Sequence, residues 1–324
     1  MDRDTKKLQA QNPGADGPRP LSMSGSEAWP ALPLQDWQET YHNLHMWTQI
    51  VGKVRLELTP NTNHWWNVPL YVDARGLTTS PIPYGDFVFE VQFDFIDHQL
   101  LIVSSDGAFR KLALTPRTVA EFYAEFMAAL ASLGIEVAIY AKPVEVENPI
   151  PFAEDRLYRA YDKDAAHRFW RILVSCDAVF KRFRAGFVGK NSPVQFFWGS
   201  FDLAVTRFSG RRAPARPGAD AITREAYSHE VISAGWWPGG AGVDGPAFYA
   251  YAAPEPEGLH ARKMRPEAAF YHPVLKEFIL MYDSVREAEM PEAMLLEFLQ
   301  STYEAAAELG GWNREELEAA SRVA

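Results

Sequence analysis

The chain has 324 residues, of which 47% are hydrophobic and 23% charged, and its formal net charge is −10. That length suits two domains or two fused repeats, the acidic balance argues against a general affinity for nucleic-acid phosphate, and no apolar run reaches the roughly 20 residues of a membrane helix. A single cysteine, Cys176, excludes an internal disulfide and suits a reducing cytoplasm.

Residues 1–28 are polar and rich in Gly, Pro and Ser, the composition of a disordered tail. Leu34, Trp37, Tyr41, Leu44, Thr48, Val51 and Val54 then recur every three or four residues. That spacing predicts a long helix to about Leu56, in spite of Gly52, since an internal glycine costs about 1 kcal/mol. From His64 the period changes to two. His64–Asp73, with Trp65, Trp66 and Pro69, reads as an edge strand. Phe87, Phe89, Val91, Phe93 and Phe95 alternate with mostly polar residues and read as a half-buried strand. Turns at Asp97-His98 and Ser105-Asp106-Gly107 lead into Leu100–Val103 and Phe109–Leu114, an antiparallel meander.

Thr115-Pro116 predicts a capped helix start. Its stripe runs through Val119, Phe122, Phe126 and Leu130, and Gly134 ends it. Ile135–Tyr140 reads as a strand, and residues 143–163, with three prolines, as a connector. Asp164 is a candidate cap for a helix carrying Phe169, Leu173, Cys176, Phe180 and Phe183. The run Pro193–Pro214 reads as a central strand, apolar on both faces, with Trp198, Ser200, Asp202 and Thr206 on one side. A loop at Gly210–Asp220 follows, then strands near Ser228–Ala234 and Ala247–Ala252 and a helix from Pro291. Asn313 and Glu316 have capping-box spacing for a short terminal helix.

The expected class is α+β: two helix–antiparallel sheet–helix halves, 29–142 and 164–324, joined by the connector. The spacing of Glu297, Phe298, Ala305, Leu309 and Gly310 matches that of Glu121, Phe122, Ala129, Leu133 and Gly134. Duplication of one unit and coincidence of helical composition both account for that match.

The stretches LHMWTQIVGKVRLEL, NHWWNVPLYVDARGLTTSPIPYG, FWGSFDLAVTRFSGRRAP, REAYSHEV and FLQSTYEAAAELGGW resemble those of a bacterial family, domain of unknown function 5996, from about Trp29 to the C-terminal end. The resemblance implies no activity, cofactor or catalytic residue.

Candidate chemistry therefore comes from the residues. A carboxylate on a covered face needs a partner, which marks Asp202. His229 is its candidate partner as a general base, with Arg207 or an early-helix histidine as the next choices. His42, His45, Gln49 and Lys53 form a polar stripe on the first helix. Asp202, His229 and His45 are the candidate catalytic residues. Trp66, Trp198, Ser200, Arg207, Trp236, Trp237, Gln49 and His64 are the candidate ligand-binding residues. Arg207, Arg211 and Arg212 around Ser209-Gly210 could clamp an anion or form a solvated loop. Ser200 lacks a GxSxG elbow, Cys176 falls in an apolar stripe, and no HExxH, Cys-pair metal pattern, P-loop or GxGxxG occurs. His42 and His45, at i and i+3, could hold a metal or shuttle protons, or be one exposed and one packed histidine. The cofactor is left open. The sequence thus leads to a cytoplasmic small-molecule binder with an aromatic cleft between its halves, extended by His/Asp acid–base chemistry if it is an enzyme. The alternative is a non-catalytic interaction or scaffold module with structural polar residues.

Overall fold

A computed structural model describes residues 25–240 and 242–319, so the tail expected over residues 1–28 falls outside it up to residue 24. The short helix α1 (Gly25–Ala28) is tied down by the Ser175 hydroxyl, which donates to the Ala28 carbonyl at 2.6 Å. Helix α2 (Leu34–Leu58) bends at Trp37 and is buried almost all round from Asn43 to Arg55. Gly52 is there because the Trp198 indole lies against its Cα; a Cβ would sit 2.5 Å or less from the ring.

The expected strand His64–Asp73 is instead a 3-10 turn, Asn63–Trp65, followed by β1 (Tyr71–Val72). His64 and Trp65 take left-handed backbone angles (φ 60° and 59°), which no strand tolerates. Strands β2 (Gly76–Thr78) and β3 (Ile82–Tyr84) both pair with β4 (Phe87–Asp94), and β5 (Gln99–Ser104) and β6 (Phe109–Ala113) complete an antiparallel sheet. Helix α3 (Val119–Ala131) starts later than Thr115-Pro116 implies, because Thr118 and Glu121 form a reciprocal capping box. Ile135–Tyr140 has no ladder partner and is not a strand among the described residues.

Helix α4 (Lys163–Ala185) is capped by Asp162, which accepts from the Ala165 N–H at 3.0 Å, and not by Asp164. The central run is a hairpin, not one strand: β7 (Gln195–Phe197) turns through Trp198–Phe201 into β8 (Asp202–Arg212). Phe201 turns the chain with φ 57°. Only Gly199-Ser200 marks the turn, between bulky apolar neighbours, which is why the sequence reads as continuous. Helix α5 (Ala221–Ala226), β9 (His229–Trp237), β10 (Ala247–Ala253), β11 (Phe270–His272), β12 (Glu277–Met281), α6 (Tyr282–Arg286), α7 (Pro291–Leu309) and α8 (Arg314–Leu317) follow. Asn313 makes no side-chain cap to α8, contrary to its capping-box spacing.

The second sheet runs β11-β12-β10-β9-β8-β7, and all its pairings are antiparallel. A reciprocal backbone pair, Leu70 with Phe196 (2.9 and 2.8 Å), joins the two sheets, and one apolar core cluster runs through both. The second sheet has two faces. Leu203, Val205, Trp236 and Phe248 point to the core, with α4 and α7 packed on that side of the sheet. Asp202, Thr206, Ser233 and Tyr249 point the other way.

Arg207 lies on the core side and does not clamp a ligand. It is 1% exposed, and its guanidinium carbon is 3.5 Å from the Phe183 ring centroid, 4.2 Å from Tyr303 and 5.0 Å from Phe187. It donates to the Phe183 carbonyl, and burial pushes it down to about 10. Arg207→Ala is expected to cost about 3 kcal/mol through the void it leaves. Arg207→Met, which fills the space without burying a cation, should stay within about 1 kcal/mol of the parent in denaturant unfolding. An equal loss for both variants would assign the stabilisation to the cation–ring contacts instead.

Candidate functional site

The face of the second sheet turned from the core is the floor of a cavity of about 1030 Å³. Register builds that floor. Asp202, Thr206 and Phe208 alternate along β8, Ser233 and Val231 stand opposite them on β9, and Tyr249, Tyr251 and Ala253 follow on β10. First-half residues His64, Trp65 and Trp66, connector residues Val144 and Glu145, and α5 close it. The cavity therefore lies between the second sheet and the segments 64–68 and 144–145.

At its centre the Asp202 carboxyl accepts from the Tyr249 hydroxyl and from the Ser200 hydroxyl. Tyr249 is on β10 and Asp202 on β8, so its ring has to cross β9. It crosses over Gly235, where a Cβ would meet the Tyr249 ring carbon Cζ and the Leu203 carbonyl oxygen, each at 2.5 Å. The partner expected for Asp202, His229, is elsewhere: it pairs in register with Arg212, at the far end of β8. His229 contacts Ser228 (3.1 Å) and stands edge-on to the His64 ring at 5.7 Å.

Four carboxyl groups line this space: Glu255, engaged by the Tyr271 hydroxyl and 4.0 Å from His260 Nδ1, and the three of Asp202, Glu145 and Glu277. Burial raises Asp202, against the two hydroxyl bonds that favour its ionised form. Burial and then the Asp202 charge raise Glu145. The same two causes, in the same order, push Glu277 up to about 7. Among the described residues none of the three forms an ion pair with a lysine or arginine, and no group of three or more His, Cys, Asp or Glu is placed to hold a metal ion. Gln195, fully buried in the same lining, gives its amide N–H to the Tyr71 hydroxyl at 3.3 Å, while its carbonyl oxygen has no partner among the described residues.

Of the residues singled out from sequence, Trp66, Trp198, Trp237, Ser200, Asp202 and His64 line the cavity together. Trp236 points into the core against Phe169 and Tyr282. His45 and Gln49 are buried behind the wall and set its shape. His45 Nε2 is 2.8 Å from the Gly199 carbonyl, so it holds the turn that carries Ser200. Burial lowers this imidazole to about 4, which keeps it neutral. The Gln49 amide bonds the Val144 backbone in both directions (2.8 and 2.9 Å), beside Glu145. The Trp198 indole N–H donates to the Val68 carbonyl at 2.8 Å.

The sequence reading missed Tyr249, Tyr251, Glu277, Glu145 and Gln195. The tyrosines had a signal, since they lie two apart in one strand and so share a face, opposite that of Phe248. Glu277 opens an apolar strand much as Asp202 does. Glu145 sits in an irregular connector that gives no pattern.

Fold and site together define an α+β protein with an aromatic, carboxyl-lined cavity on the outward face of its second antiparallel sheet. A family model described as a family of unknown function (DUF5996) matches residues 29–319, and the chain belongs to that family. No curated protein and no solved structure matches the chain. Among the described residues no helix is long and apolar enough to cross a membrane.

Proposed function

We propose that the protein binds a small organic cation, an amine-bearing metabolite, in this cavity. The observation that carries this reading is that three of the four carboxyl groups lining one aromatic-walled space, Asp202, Glu145 and Glu277, have no cation of the protein paired to them among the described residues. Like-charged carboxyls held together retain protons they would otherwise lose, and a bound ammonium removes that penalty. The walls suit the same guest: the lining aromatic rings Trp237 and Tyr251 can attract a desolvated cation. The His/Asp acid–base extension has no couple in this geometry, since Asp202 and His229 lie toward opposite ends of β8. The setting we assign is the cytoplasm of a bacterium, from the lone buried Cys176 and the family resemblance, with no role in nucleic-acid binding at a net charge of −10.

The pH dependence follows from Glu277. Its folded value, about 7, lies above its ordinary 4.5. The stability it contributes is therefore full below about 4.5 and is lost as pH rises through about 7. An ammonium guest favours the ionised form, so binding has the opposite trend. Calorimetric titration with phenethylamine and agmatine should show affinity rising by up to tenfold per pH unit between pH 6 and 7 and levelling off above. Glu277→Gln should flatten that rise and make the unliganded protein more stable at pH 8. Equal binding of phenethyl alcohol, the neutral analogue, would defeat the reading.

A further inference from the structure

The end of the cavity away from Asp202 has the opposite chemistry. There His64, in its left-handed turn, presents its ring over Phe208, 4.7 Å between centroids. Lys190 donates to His64 Nε2 at 2.7 Å, and His64 Nδ1 faces the Glu225 carbonyl at 3.1 Å. Those two bonds fix the neutral tautomer with its proton on Nδ1. The Lys190 ammonium lies 5.1 Å from the Phe208 centroid and 5.4 Å from that of Trp66, both lining residues. Arg216, also in the lining, lies 4.1 Å from the Tyr227 ring. Neither Lys190 nor Arg216 forms an ion pair among the described residues. Two carboxylates stand nearby: Glu225 accepts from the His64 backbone N–H at 3.2 Å, and Glu255, in the lining, accepts from the Tyr271 hydroxyl at 3.0 Å and lies 4.0 Å from His260 Nδ1, so neither is paired with Lys190 or Arg216.

We infer that this end is an anion subsite, so that the ligand is an extended zwitterion with its ammonium at the Asp202 end and its anionic group between Lys190 and Arg216. This rests on the amine reading above and deepens it. The span follows from the strand. Asp202 and Phe208 mark the two ends and are six residues apart on β8, which is ~20 Å at about 3.3 Å per residue. A cation alone would leave the basic end unused, and a short amino acid cannot reach both ends.

The test uses 12-aminododecanoic acid, its methyl ester, its N-acetyl derivative and 6-aminohexanoic acid in calorimetric titrations at pH 8. The free acid should bind at least about tenfold more tightly than the ester, the gain from one charge-assisted contact. The six-carbon acid should show no such advantage over its own ester. Lys190→Ala/Arg216→Ala should erase the difference between the twelve-carbon acid and its ester, with an unchanged circular-dichroism spectrum and cooperative melting reporting that the variant is folded. Equal binding of acid and ester would overturn the anion subsite and leave the amine reading standing. An N-acetyl derivative that binds as tightly as the free amine would overturn the amine reading, and with it the zwitterion. Absence of binding by the whole series at millimolar concentration overturns the inference.

Discussion

Replacing Gly235 with alanine is expected to lower stability by about 3 kcal/mol, the upper range for forcing one methyl into a packed site. The cause is specific. A Cβ at this position meets the Tyr249 ring on one side and the Leu203 carbonyl of the neighbouring strand on the other. The ring can swing away; the carbonyl is held in the β8–β9 ladder, where Leu203 is in register with Trp236. Relief therefore comes at the expense of Tyr249, whose hydroxyl leaves Asp202, and amine binding should fall along with the melting temperature. Gly235→Ala/Tyr249→Phe separates the two effects. It removes the hydroxyl but neither Cζ nor the Leu203 carbonyl, so the double variant should be less destabilised than the sum of the singles, by roughly 0.5–3 kcal/mol. Simple additivity in denaturant unfolding would mean that the ring does not bear on Gly235.

Gly235 also explains how far this site could be read from the chain. Strands such as Phe87–Phe95 are legible because one face is packed and the other mostly polar, a pattern local to the segment. The need of Asp202 for a partner is legible for an equally local reason, since a carboxylate in an apolar run cannot be left unsatisfied. Which residue satisfies it is not local. Tyr249 is 47 residues away and lies two strands over, and the contact exists only because the intervening strand has a glycine at the crossing point. No spacing along the sequence encodes that three-strand register. The stripe of His45, Gln49 and Lys53 shows the same limit. Its position on one side of α2 follows from helical period, but its task depends on two segments far along the chain. His45 holds Gly199 and Gln49 holds Val144, while Lys53 lies 5.5 Å from the Trp198 ring centroid. The stripe is a set of clamps for the cavity wall. The hairpin turn at Trp198–Phe201 does carry a signal, Gly199-Ser200, but one only two residues long and set between bulky apolar neighbours, so it reads as part of a continuous strand.

Asp202→Asn is expected to abolish amine binding, by at least about 100-fold, with a smaller effect on stability. Two contributions to stability oppose each other. The amide keeps one acceptor oxygen where the carboxyl offered two, so either Ser200 or Tyr249 must turn its hydroxyl to accept, at a cost of about 1 kcal/mol. Against this, the substitution removes a buried negative charge that Glu145 and Glu277 both feel. The net change should therefore lie within about 1 kcal/mol of the parent, although the group is only 6% exposed. Binding has no such compensation, because the ammonium loses the carboxylate at the centre of the site, and contacts between buried charged groups are among the strong ones. Glu277 supplies an independent readout. Burial is the larger cause of its elevation and the Asp202 charge the second, so in the Asn variant it should titrate below 7 and still above its ordinary range, measured by carboxyl chemical shifts against pH. A Glu277 titration that does not move would mean the two carboxyls are not coupled through the cavity. A loss of about 3 kcal/mol with amine binding intact would make Asp202 a tie between strands and nothing more.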